Sequence, residues 1–315
     1  MQLNAITRKS ALMALLLLIA ILVAIAIRHS IAPFAIEEIG CERSLFRYIL
    51  GFITFFAGGI IEGKILPRTG LSNGFSTLPI PLYGVVACGI FVSHDVMIAS
   101  SASFSLALAI FLLLRSLQSA GEKDSIFFAA LLLGALPLIY PPSIVLAAVL
   151  PLSIFLLALS LRQVALIIIG YLLPFFAISY VSWYTGEQFW SFGQKLLDTI
   201  LTPQTEHIFT IPYIAITMVV TIVAILIWGA VYAVTHPNST TRLSKERSSL
   251  NLFIWLTAIT LAMFLIPSCN ITAISLIAVP VAILLSFVLG ILPNNHSTIA
   301  YWVLLALFAL HLFIE

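Results

Sequence analysis

The sequence predicts an all-α fold, a polytopic bundle of transmembrane helices, and three observations carry that prediction. Of 315 residues, 62% are hydrophobic and only 8% charged, whereas about a quarter of a soluble domain is charged. The mean hydropathy is +1.17, and a core that apolar would outgrow any surface able to keep it in water. The apolar runs are continuous and rich in Leu, Ile and Ala, which excludes the short alternating strands of a membrane barrel. Polar intervals are too short to house a soluble domain, so residues 1–315 read as a single membrane domain.

Charged residues and Pro, Gly or Asn punctuation divide the chain into about eleven expected spans, at 11–27, 46–62, 78–93, 97–114, 126–140, 143–160, 164–183, 211–234, 250–267, 271–290 and 298–314. The first follows Arg8 and Lys9 as a signal peptide would. It lacks a small-x-small cleavage site and reads as a retained signal anchor. Crossing a hydrocarbon core takes roughly 20 residues. Shorter runs, notably 78–93 and 126–140, are therefore expected to be tilted, re-entrant or enclosed by neighbours.

Charge asymmetry sets the expected orientation. With a cytoplasmic N-terminus, the inner segments hold Arg8, Lys9, Lys64, Arg68, Arg115, Lys123, Arg162, Arg242, Lys245 and Arg247. The outer segments hold only Arg28, Arg43, Arg47 and Lys195. An odd number of spans then leaves the C-terminus outside, and a bacterial inner membrane is the expected location. No basic cluster exceeds TRLSKER, so nucleic acid is not an expected partner.

In this topology the segment RHSIAPFAIEEIGCERSLFRY, residues 28–48, is the first external loop, and it concentrates charge in a chain that otherwise avoids it. Ionisable groups at span ends are functional candidates because charge near lipid is costly. Glu37 and Glu38 follow Pro33, which can open a short juxtamembrane helix, and adjacent helical residues diverge by about 100°. One glutamate can then face a cavity while the other meets water. Alternatively both, with Glu42, solvate the loop and pair with Arg43 or Arg47. Asp95 sits beside His94 in a tight turn between two apolar runs, where partial desolvation would suit a general base. Its ordinary role would be to cap the helix that begins at VMIASSAS. Arg28, Arg43, Arg47 and His94 share that membrane face, and a guanidinium matches phosphate through paired hydrogen bonds. Snorkelling at the end of the first span is the ordinary job for Arg28.

Other features are weaker. Glu62 and Lys64 fall at the cytoplasmic end of the second run, where they would pair or snorkel. Pro137, Pro141 and Pro142 mark a turn. Residues 187–200 have the pattern of an amphipathic helix lying on the membrane surface. The small-residue stretches FAGGIIEG and ASSASFSLALA suit close helix contact. Cys41, Cys88 and Cys269 match no metal-site or disulfide spacing, although Cys41 and Cys269 would share the external face. Walker, Rossmann, HExxH and G-x-S-x-G patterns are absent. A substrate would therefore arrive through the lipid.

The middle of the chain resembles the type-C glycosyltransferases, multi-pass enzymes that use polyprenyl-phosphate sugars. The matching elements are a charged inner turn with Arg115 and Lys123, the span and proline turn ALLLGALPLIYPPS, the inner turn marked by Arg162, and GYLLPFFAISYVSWYTGEQF running into an aromatic external segment. The likeness covers the layout of residues 1–190, with 191–315 as additional C-terminal spans. The chain is also similar to a group of multi-pass inner-membrane proteins of Bacteroidota with no established activity.

The type-C resemblance implies an essential acid in the first external loop and a second in the next, which fall here on Glu37 or Glu38 and on Asp95. It further implies that a carboxylate helps deprotonate an acceptor while basic groups steady the departing polyprenyl phosphate. This chain departs from the family in lacking an Asp-Asp or Glu-x-Asp motif in the first loop. The expected function is thus a glycosyltransferase-like protein handling a lipid-linked sugar at the external face. Expected partners are membrane lipid, a polyprenyl-linked sugar and protein subunits. No cofactor is named by the residues, and a divalent metal remains open. The alternatives are a non-catalytic accessory subunit of an envelope assembly and a lipid or small-molecule transporter.

Overall fold

The computed structural model describes residues 16–21, 41–69, 77–89, 96–118, 124–157, 159–203, 213–235, 244–270 and 272–314. The described residues form helices and turns, with no strand among them. Residues 16–21 are helical and are termed α1. The remaining α-helices are α2 (Cys41–Thr69), α3 (Pro79–Gly89), α4 (Val96–Gln118), α5 (Asp124–Ile139), α6 (Val149–Leu157), α7 (Leu161–Tyr184), α8 (Ser191–Leu201), α9 (Tyr213–Thr235), α10 (Ser244–Ala262), α11 (Ala273–Ile291) and α12 (Asn294–Ile314). Most described residues of the expected apolar runs are helical. Among the described residues six helices are long and apolar enough to cross a membrane, with windows at Ile49–Thr69, Met97–Ser116, Leu161–Tyr184, Ile216–Thr235, Arg247–Leu265 and Ala273–Ile291. These make the chain a helical membrane protein.

The centre of the bundle is α11, whose sequence AISLIAVPVAILLSFVLGI carries no charge. Its spanning window is 83% buried, against 17% for α7 and 22% for α9. Helices α2, α3, α4, α9, α10 and α12 all pack on it. By contrast, α7 packs chiefly on α5 and α8 and turns Ile168, Ile169, Phe176 and Tyr180 outward. In lipid such an apolar outer face needs no protein cover, because the bilayer itself is the apolar solvent.

Small residues allow the closest crossings. A Cβ at Gly170 would lie 2.7 Å from the carbonyl oxygen of Phe127, and one at Gly134 would collide with the carbonyl of Tyr171. The α5–α7 pair is therefore in backbone contact. FAGGIIEG behaves as its composition suggested. Gly59 admits Leu18 of α1, Gly63 admits Ile80 of α3, and Gly58 faces the Tyr83 hydroxyl. The serines of ASSASFSLALA add polar ties, with Ser100 Oγ 2.8 Å from Thr54 Oγ1 of α2 and Ser103 Oγ 2.7 Å from the Tyr83 hydroxyl of α3.

The prolines after α5 do more than turn the chain. Pro141–Ala148 winds as a 3-10 helix before passing directly into α6. A 3-10 helix rises about 2.0 Å per residue against about 1.5 Å for an α-helix. Eight residues of the first and nine of the second give about 30 Å, the thickness of a hydrocarbon core. Tighter winding thus lets a run too short for an α-helical span approach full crossing length. Its threefold period lines up Ser143, Leu146 and Val149 on the buried side.

Candidate functional site

Three contacts define one end of the bundle. Ser275, in the first turn of α11, donates to the carbonyl of Ala99 in the first turn of α4 at 3.0 Å. The Tyr140 hydroxyl, just past α5, donates to Asn270 Oδ1 at 3.0 Å, ahead of α11. The amphipathic α8 packs against the 3-10 segment that follows Tyr140. The turns at 141–142 and 268–270 and the segment after 184, expected on one membrane face, therefore gather towards the start of α11.

Of the predicted acids, Asp95 immediately precedes Val96, the first residue of α4, in the sequence. His94 and Asp95 lie outside the described residues, as do Arg28, Glu37 and Glu38. Arg43 and Arg47 fall in the first two turns of α2. Among the described residues no three His, Cys, Asp or Glu side chains converge on a metal position.

What the described residues do bring together is a neutral polar cluster that sequence reasoning took for ordinary turns. Tyr140 reaches Cys269 Sγ at 3.6 Å and accepts the Asn270 backbone N–H at 3.2 Å. Asn270 Oδ1 also accepts the Thr272 backbone N–H at 3.2 Å. The Tyr140 phenol is a donor at neutral pH. Burial raises the Cys269 thiol. This thiol is free, so Cys269 is in no disulfide with Cys41. Ser143 and Ser268, at the same end, are buried with hydroxyls that make no hydrogen bond. A cluster of hydroxyl, thiol and amide groups can grip a neutral polar molecule but supplies no general base at neutral pH. The residues that build it lie some 130 positions apart in the chain, and no local spacing announces them.

The expected surface helix is present as α8. Its start is tied down by Glu187, which accepts from Lys195 Nζ at 2.7 and 2.8 Å and from Ser191 Oγ at 2.9 Å. Hydrogen bonds from Lys195, then Ser191, hold the Glu187 carboxyl below its usual range. Trp183, Tyr184 and Trp190 flank the helix exposed, as aromatics of a membrane interface do.

One expectation needs correction. Glu62 neither pairs with Lys64 nor snorkels: α2 continues to Thr69, Lys64 is exposed and Glu62 is fully buried. Side chains two apart on a helix do not face each other. Among the described residues neither carboxyl oxygen of Glu62 has a hydrogen-bond partner.

No curated protein and no solved structure matches this chain. A protein family does match, over residues 3–315, under the description "Family of unknown function (DUF6427)". With nearly its whole length covered, the chain belongs to that family.

Proposed function

We propose that this protein acts at the external face of a bacterial inner membrane on a lipid-linked, polyprenyl-phosphate sugar, as a type-C-like glycosyltransferase. The topology goes with it: eleven spans, the N-terminus cytoplasmic and the C-terminus external, as the distribution of basic residues favours. In this reading Glu37 or Glu38 and Asp95 supply the carboxylates, and Asp95 assists deprotonation of the acceptor. Arg28, Arg43, Arg47 and His94 meet the phosphate. The supporting observation is the docking of the amphipathic, aromatic-flanked α8 at the end of the bundle where α4 begins. An interfacial helix at that end of the bundle would suit a substrate that arrives through the lipid. Because fold layout alone does not establish chemistry, the test is chemical.

Membranes from cells producing E37Q, E38Q or D95N protein are assayed for polyprenyl-phosphate sugars by mass spectrometry, with protein abundance measured alongside. D95N and at least one glutamate variant should accumulate unconsumed lipid-linked sugar at normal abundance. Unchanged pools in all three variants would remove the enzyme reading and leave the accessory-subunit reading. The transporter reading has one observation in its favour, the buried carboxyl of Glu62.

A further inference from the structure

Glu62 occupies an unusual place. It lies on α2 seven residues before Thr69, hence roughly 10 Å along the axis from the helix end. Gly58 and Gly59 precede it by one turn and Gly63 follows it, and these glycines bring Tyr83, Leu18 and Ile80 against the same stretch of α2. In this stretch Glu62 has no solvent exposure, and neither of its oxygens is hydrogen-bonded among the described residues.

The described elements packed on α2 are α1, α3, α4, α10 and α11. Residues 16–21, α3 and α11 carry no charged residue. The charge on α4 is Arg115, near its end, and those on α10 are Lys245, Glu246 and Arg247, in its first turn. On α2 itself, beyond the Glu42, Arg43 and Arg47 of its start, Lys64 is exposed and the Arg68 guanidinium stacks over the Phe111 ring at 4.2 Å. The titratable Tyr83 faces Gly58, one turn before Glu62, and its hydroxyl is engaged with Ser103. An ionised carboxylate held there without hydrogen bond or counter-charge is far more costly than the neutral acid. Such a group adds nothing to helix packing, and ionisable side chains inside a membrane bundle mark proton or ion paths.

We propose that Glu62 is a proton-binding group of the membrane interior. It holds its proton as the neutral acid while the glycine seam is closed and exchanges it with water when α2 and α3 part. The ligand is a hydron rather than a metal cation, since among the described residues no group of three His, Cys, Asp or Glu side chains forms a metal position. This inference is independent of sugar transfer at the other end of the bundle.

Dicyclohexylcarbodiimide, an apolar reagent for carboxylic acids, tests it on the full-length protein in native membrane vesicles. The Glu62 oxygen adds to the carbodiimide carbon while its proton passes to a carbodiimide nitrogen, so the reaction consumes the protonated form with no change of oxidation state. Peptide mass spectrometry should find the adduct on Glu62 in the folded protein. Labelling should fall about tenfold per pH unit above the group's midpoint, be insensitive to sodium and potassium, and vanish in E62Q. E62Q should unfold at the same temperature as the wild type, since one neutral group replaces another. If E62Q fails to fold, labelling of the wild type still decides. Labelling only after denaturation would make Glu62 a static buried acid and overturn the proposal. Protection by sodium or potassium at constant pH would make it a metal-cation site and overturn it equally. D95N protein should label as the wild type does, so failure of the transferase reading leaves this result unaffected.

Discussion

Replacing Gly134 by alanine tests the α5–α7 crossing with a single methyl group. Alanine favours an α-helix over glycine by about 0.8–1.0 kcal/mol, so an unobstructed substitution stabilises. At Gly134 the obstruction is the Tyr171 carbonyl, and the reciprocal position, Gly170, meets the Phe127 carbonyl at 2.7 Å. Both obstacles are backbone, so no rotamer change relieves them, and α7 must retreat by roughly 1 Å to reach ordinary contact distance. Overpacking of this kind costs typically 1–3 kcal/mol. Because α7 has little other support, the larger part of that range applies, and the net change for Gly134→Ala should be a loss of about 1–2 kcal/mol. Gly193 of α8 is the control, since a Cβ there meets nothing within 4 Å. Gly193→Ala should stabilise by about 0.5–1 kcal/mol. Titration of both variants with a denaturing detergent in mixed micelles reads the two changes under one condition. A Gly134→Ala protein as stable as Gly193→Ala would refute the close crossing.

Tyr140→Phe removes the donor to Asn270 Oδ1 and the acceptor of the Asn270 N–H. It should cost about 1–3 kcal/mol in the same titration, because buried partners are left unsatisfied. With Cys41 and Cys88 replaced by alanine, Cys269 should resist maleimide in the folded protein and react on unfolding, since burial hides the thiol and raises it. Rapid native labelling would place it at an open surface instead. The Glu187 carboxyl is lower in the folded state, so its contribution is present above its unfolded pKa and is lost as the pH falls through the lowered folded value. Hydrogen exchange at the start of α8 should accelerate in that acidic window, and E187Q should abolish the pH dependence. An identical acid response in E187Q would contradict the role given to the Lys195 pair.

Much of the fold was legible because lipid enforces simple rules. Continuous apolar runs become helices, as most of their described residues did, and the amphipathic pattern of 187–200 pointed to α8. The small-residue stretches were correctly read as contact surfaces, since close approach depends only on the absence of a side chain. What stayed hidden depends on tertiary context. Nothing local in 271–290 distinguishes the buried α11 from the lipid-facing α9, because in a membrane both are uniformly apolar. Glu62 and Lys64 looked like the end of a span, yet α2 continues to Thr69 with Pro67 inside its last turns, which draws Glu62 into the bundle. The Tyr140–Cys269–Asn270 cluster joins distant turns that separately carry no signature. The candidate acids were legible as chemistry, through charge at span ends, but whether they converge is a matter of geometry.

That convergence is the most direct test of the proposed function. A structure of the protein in a lipid nanodisc would give the separations of the Glu37, Glu38 and Asp95 carboxylates. The account predicts that Asp95 and one glutamate line a shared external pocket within about 10 Å of each other, open sideways to lipid. Carboxylates directed separately into bulk water, above solidly packed helix ends, would contradict it.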